Sequence, residues 1–159
     1  AHERGKGVII AVNKWDLIEK DTNTINKFNF DLGEALKFMD YIQPIYVSAK
    51  TGQRVDRLYE LIKFVDTQNA MRIKTGQLNE ILAAATLRVQ PPTDKGKRLK
   101  IYYMTQASTK PPTFVVFVNK AELFHFSYKR YLENQLRATF GLEGTPIRFI
   151  VRERGKGET

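Results

Sequence analysis

The chain of 159 residues contains no cysteine. That excludes disulfides and thiolate-held metals, and it suits a reducing, cytoplasmic setting. Histidine is almost as scarce. His2 and His125 are too few for a histidine-rich metal site, and each reads as a loop or surface residue. No apolar run approaches the ~20 residues of a membrane-spanning helix. The first residues show no secretory signal pattern either. No membrane partner is therefore expected. Negative charge is the remaining shortage: 17 Asp+Glu face 26 Lys+Arg, for a net charge of +9. The deficit is uneven. Residues 1–75 carry 12 Lys+Arg against 10 Asp+Glu, while residues 76–159 carry 14 against 7. A basic second half calls for a polyanionic partner, and without a membrane anchor RNA is the first candidate.

What is present is ordinary globular material: 42% hydrophobic and 11% aromatic residues, enough for one domain or two small ones. The run V-I-I-A-V at 8–12 reads as a buried strand. Asn13, Lys14, Trp15 and Asp16 follow at its C-terminal end, where open α/β sheets hold ligands. These residue types suit a purine. Asp16 offers two acceptors to the paired N–H donors on one guanine edge, and Asn13 offers a donor and an acceptor. Lys14 can lay its stem over the base. Asn-Lys-x-Asp resembles the base-recognition motif of GTPases. A second apolar run, residues 43–47, ends in Ser48-Ala49-Lys50. That triplet resembles the GTPase loop whose backbone N–H meets the guanine carbonyl.

Between the two motifs, helix-start chemistry at 21–23 precedes Ile25, Phe28, Leu32, Ala35, Leu36 and Met39 at helical spacing. A further helix, starting near Thr51 or Gly52, carries Val55, Leu58, Leu61, Ile62 and Val65. Strand, helix, strand, helix is the pattern of a parallel α/β sheet. A phosphate-binding loop, G-x-x-x-x-G-K-[S/T], is not completed by any glycine-lysine pair here, and D-x-x-G is also missing. The expectation is a fragment that begins inside a GTPase domain and holds the guanine end without the phosphate end. No catalytic residue follows from it, and GTP or GDP should bind weakly or not at all.

In the second half, Thr75 is a plausible N-cap for a helix with the stripe Leu78, Ile81, Leu82 and Ala85. Residues 91–96 read as a loop. Strands are expected at 99–106, 113–119 and 147–151, with a helix capped by Ser127 before the last of them. In the first strand, alternation puts Leu99, Ile101 and Tyr103 on one face and Lys100, Tyr102 and Met104 on the other. A polar tail is expected from residue 152. The order α-β-β-α-β suggests an α+β sandwich. Gly141-Leu142-Glu143-Gly144 matches G-x-x-G, yet it sits between a helix and a strand and carries an acid, so it reads as a C-cap and turn. The RNA-contact candidates are Lys95, Lys97, Arg98 and Lys100, then Lys110, Lys129, Arg130 and Arg137. Tyr102 can stack on a base.

The runs T-G-Q-L-N at 75–79, K-I-Y-Y-M-T-Q at 100–106 and K-P-P-T-F-V-V-F-V-N at 110–119 carry a wider resemblance. S-Y-K-R-Y-L-E-N-Q-L-R at 127–137 and G-T-P-I-R at 144–148 extend it. With the two guanine motifs, nearly the whole chain resembles the C-terminal part of the double-GTPase family called Der or EngA. The resemblance implies an α/β, partial parallel-sheet GTPase domain over 1–70, an α+β KH-like domain over 71–152 and a polar tail over 153–159. It implies guanine contacts at Asn13, Lys14, Trp15, Asp16, Ser48, Ala49 and Lys50. It also implies a parent that binds GTP with Mg2+ held by residues outside this chain, and a role in assembly of the large ribosomal subunit. The partners would be ribosomal RNA and the family's other G-domain segments. A second possibility stays open: the KH-like domain docks on those G domains without touching RNA. The strand at 8–12 would lose a neighbour in such a fragment, so self-association through that edge, or poor order of the segment, is expected.

Overall fold

The computed structural model describes residues 1–18 and 23–154. The protein is mixed α/β, with four α-helices and small sheets among the described residues. It divides into two compact units. The first comprises Ala1–Asn69 with Glu143–Pro146, and the second comprises Ala70–Leu142 with Ile147–Thr159. Residues 143–146, expected within the second domain, thus pack with the first unit.

In the first unit, β1 (Ala11–Val12) pairs in parallel with β2 (Ile45–Tyr46), and α1 (Thr24–Ala35) lies between them in sequence. The helix-start residues 21 and 22 lie outside the described residues. α2 (Val55–Asn69) follows β2, and it begins later than residues 51–52 because Ser48 to Gln53 first close a turn. The run 8–12 is half-buried rather than buried, because among the described residues β1 has β2 as its one partner strand. Trp15 forms the unit's most enclosed aromatic contact, 5.3 Å from Phe28 and 4.5 Å from Tyr46 between ring centroids. Glycine is required at Gly144. Its φ is +71°, and a Cβ there would sit 2.7 Å from Val65 Cγ2. The Gly144 carbonyl accepts from Val8 N at 2.7 Å, and its own N–H donates to the Tyr41 carbonyl at 3.1 Å.

The second unit places α3 (Thr75–Arg88) and α4 (Phe126–Phe140) on a three-stranded sheet of β5 (Ile101–Ser108), β6 (Thr113–Val118) and β7 (Arg148–Glu153). β5 runs antiparallel and β7 parallel to the central β6. Leu78, Leu82 and Ala85 of α3, with Tyr128, Leu132 and Leu136 of α4, meet Met104, Phe114, Val116 and Val118 in one core. Helix spacing of about 3.6 residues per turn accounts for both stripes. The helices are capped differently from the sequence expectation. Lys74, not Thr75, holds the N-cap of α3, and His125, not Ser127, that of α4.

Three further differences have physical causes. The loop at 91–96 contains a hairpin, β3 (Thr93–Asp94) with β4 (Lys97–Arg98). Its two central residues, Lys95 and Gly96, have φ of 49° and 77°, the left-handed values that a two-residue hairpin loop demands. The last strand extends to Glu153, because pairing with β6 continues as far as Val118 and polar side chains cost nothing on an open edge. The tail is therefore strand until Glu153, and residues 155–159 lie outside the described residues. Finally, alternation in β5 breaks. Ile101 faces Val118 and Tyr103 faces Phe117, so Tyr102 is a bulge residue. The extra residue shifts the parity. Met104 falls into the core at 1% exposure, while Tyr102 and Tyr103 are both exposed.

β5 is an edge strand, and its free side is covered. Asn79 of α3 accepts from Met104 N at 3.0 Å and donates to the Met104 carbonyl at 3.1 Å. Further along, the Gln106 amide pairs with Met71 O and Ile73 N. The Asn79 side chain thus gives Met104 the ladder partners that a neighbouring strand would have given, while the Gln106 side chain satisfies backbone groups of the segment before α3.

Candidate functional site

Residues 13–16 and 48–50 leave the C-terminal ends of the two parallel strands. Lys14 adopts φ 58°, ψ 34°, a left-handed turn that reverses the chain just beyond the strand. The ladder extends past both strands, with Val47 N donating to Val12 O and Trp15 N donating to Val47 O. This brings the two motifs together. Ser48 Oγ donates to Asp16 Oδ1 at 2.6 Å, a short charge-assisted bond, and accepts from Thr51 N at 3.2 Å. Ala49 N donates to Asn13 Oδ1 at 3.1 Å. Ser48 is fully buried, while Asn13, Lys14, Ala49 and Lys50 are exposed and Asp16 is half-buried. Trp15 points the other way, into the aromatic cluster at 1% exposure. It supports the loop from beneath. The sequence reading placed it among ligand contacts because position in a motif does not reveal side-chain direction.

The second unit carries a basic end. β5 begins, β6 ends and β7 ends at the same extremity of the sheet, so residues distant in sequence converge there. A concavity of about 540 Å3 is lined by Lys97, Arg98, Lys100, Tyr102, Lys120 and Arg154, with Asn119 and Glu153 beside them. Asn119 fixes its wall. Its Oδ1 accepts from Lys100 N at 2.9 Å, and its Nδ2 donates to Arg98 O at 3.0 Å. The Arg98 guanidinium donates to Thr93 Oγ1 and Gln90 Oε1. Leu99, buried at 1% exposure, turns Arg98 and Lys100 outward on either side of it. The Arg154 guanidinium lies 5.2 Å from the Tyr102 ring centroid, a cation–π contact. Glu153, the acid in this group, accepts from Ala121 N at 2.8 Å.

The other basic candidates lie elsewhere. Lys95 is in the hairpin turn. Lys110 follows β5, whose eight residues span roughly 26 Å, so it belongs to the opposite end. Lys129 and Arg130 are on α4, with Arg130 3.9 Å from Glu133. Arg137 is a correction. It donates to Leu142 O at 2.6 Å and pairs with Glu133 at 3.2 Å, with 13% of its side chain exposed. It holds the turn after α4, because helix spacing put it on the inner side. Lys120 and Arg154 were missed. Their signal, a cation immediately beyond a strand end, has meaning only once strand order is known.

The arrangement defines a class: an α/β unit whose two strand-end loops are hydrogen-bonded into one site, followed by a helix-backed antiparallel-and-parallel sheet with a cationic end. Residues 72–152 match the family model described as "KH-domain-like of EngA bacterial GTPase enzymes, C-terminal". The chain is 64% identical over 98% of its length to the GTPase Der of Acetivibrio thermocellus and 63% identical over 98% to that of Ruminiclostridium cellulolyticum. Against the GTPase Der of Agathobacter rectalis the identity is 58% over 99%. It spans about 36% of the length of the first of these relatives and 35% of the second. The chain belongs to the EngA, or Der, family, and corresponds to a C-terminal portion of its members.

Proposed function

We propose that this chain is the C-terminal part of a GTP-binding factor for large ribosomal subunit assembly. In this reading the first unit reads the guanine base and the basic end of the second contacts ribosomal RNA. The observation that carries the reading is the joining of the two loops, Asp16 to Ser48 and Asn13 to Ala49. Asp16 offers carboxylate oxygens to the guanine N–H pair, with the Ser48 hydroxyl setting its orientation. The Ala49 N–H, paired with Asn13, is exchanged to the guanine carbonyl, and the Lys14 stem covers the ring.

The residues present fit the base. They do not fit the phosphates or Mg2+, because the amides, lysine and metal ligands of phosphoryl transfer are not in this sequence. We therefore assign no hydrolytic step to this chain, and GTP hydrolysis is attributed to the parent as a whole. The RNA contacts proposed are Lys95, Lys97, Arg98, Lys100 and Tyr102; Lys110, Lys129 and Arg130, the other basic candidates, lie away from this end and are not part of the proposed contact.

Titration of this chain with guanosine and with GDP, followed through backbone amide resonances, tests the first half. The Ala49 amide should move with both ligands, and GDP should bind no more tightly than guanosine. Micromolar GDP affinity, or an unmoved Ala49 amide at saturating guanosine, overturns it. For the second half, the test is co-sedimentation with large ribosomal subunits across a salt series, with salt-sensitive binding expected.

A specific observation favours a second reading. Tyr103 and Phe117 stack at 4.2 Å and 16° on the sheet face away from the helices, and Ile150 on that face is 38% exposed. An aromatic, partly apolar open face suits a protein partner. The second unit would then dock on the family's G-domain segments and regulate them without RNA. Absence of subunit binding at low salt would select this reading.

A further inference from the structure

We propose that the basic end of the second unit takes an unpaired nucleotide of single-stranded RNA, with its base stacked on Tyr102 and its phosphates among the surrounding cations. This rests on the ribosomal RNA reading above and adds the form of RNA and the residue that selects it.

The first support is the bulge. Regular alternation would have committed Tyr102 to one face of the sheet, but the extra residue in β5 releases it to line the concavity, 43% exposed. Bulges that re-aim a side chain are characteristic of sites. The second is what already lies on the ring. The planar Arg154 guanidinium lies 5.2 Å from the centroid. A nucleobase and a guanidinium compete for, or share, the same π-face.

The third support is charge. Lys97, Arg98, Lys100, Lys120 and Arg154 line the same concavity as the ring, and Glu153 already accepts a backbone N–H. The fourth is size. About 540 Å3 lies within the ~300–1,000 Å3 of small-molecule sites, room for one nucleotide. A duplex keeps its base faces stacked inside and offers this end phosphates, 2′-hydroxyls and base edges, so no base can stack on Tyr102.

Fluorescence anisotropy at low salt with a short labelled single-stranded RNA and a blunt RNA duplex tests the proposal on this chain. The single strand should bind more tightly than the duplex. Tyr102→Ala should weaken single-strand binding about tenfold and leave duplex binding unchanged. Tyr102→Phe should retain it, and Tyr102→Trp should match or exceed it. Because Tyr102 is exposed, these variants should melt like the parent, and the Phe and Trp variants keep the test decisive should the Ala variant melt early. The nucleotide site is overturned, with RNA contact intact, by equal binding of both RNAs that Tyr102 variants leave unchanged and Lys97→Glu with Arg98→Glu weakens. If neither RNA nor ribosomal subunits bind, both readings fall together.

Discussion

At the scale of single residues, Ser48 shows how one buried hydroxyl ties two loops together. Its hydroxyl is wholly buried, donates to Asp16 and accepts from Thr51 N. Ser48→Ala removes both bonds and leaves the half-buried carboxylate short of a donor. The expected cost is about 2 kcal/mol, from a bond to a charged group plus a stranded amide. Chemical denaturation should show it, and the Ala49 amide should lose its response to guanosine. A variant that melts normally and still responds would contradict the coupling. That residues 13–16 and 48–50 leave the ends of two strands was legible in the sequence, because an apolar run precedes each. The inward turn of Trp15 was not. That depends on Phe28 and Tyr46, which reach it only through tertiary packing.

At the scale of elements, the edge of β5 depends on one amide. Asn79 supplies both a donor and an acceptor to Met104, whose side chain is in the core. Asn79→Leu leaves a backbone N–H and C=O unpaired beside that core, at an expected cost of about 3 kcal/mol. Urea unfolding followed by circular dichroism measures it, and a loss under about 0.5 kcal/mol, typical of plain surface changes, would contradict the assignment. α4 offers a second test. Burial, and then the neighbouring Tyr131, push the Tyr128 hydroxyl up to about 12 from 10.0. Its raised folded value means the contribution is intact below pH 10 and is lost as pH rises from 10 towards 12. Tyr128→Phe should flatten that alkaline limb of the stability curve. It should also lower stability at neutral pH by about 1 kcal/mol, through loss of the bond to Val89 O. Both helices of this unit were readable from periodicity, since packing on a sheet follows the 3.6-residue stripe. The hairpin at 93–98 and the bulge at Tyr102 were not. The first is two two-residue strands joined by a two-residue turn, and the second is one extra residue in the register; neither leaves a hydrophobic period to read.

For the whole molecule the open issue is whether the excess positive charge acts as a diffuse field or as a place. The sequence located the excess in the second half and singled out residues 95–100. It could not locate the basic end, because Lys120 and Arg154 join it only through the order β5-β6-β7. Two charge reversals of equal size separate the alternatives. Lys97→Glu with Arg98→Glu, and Lys110→Glu with Lys129→Glu, change the net charge by the same amount. A diffuse field would respond to them alike. A localised contact should respond only to the first pair. The slope of log affinity against log salt should flatten by roughly 1.4 for single-stranded RNA, two phosphate contacts at about 0.7 each. The second pair should leave the slope unchanged, because Lys110 is at the far end of an eight-residue strand and Lys129 is on a helix. Anisotropy titrations of both variants across a salt series make the comparison. Equal flattening in the two would mean that the charge of this protein concentrates RNA around it without reading any of it at the basic end.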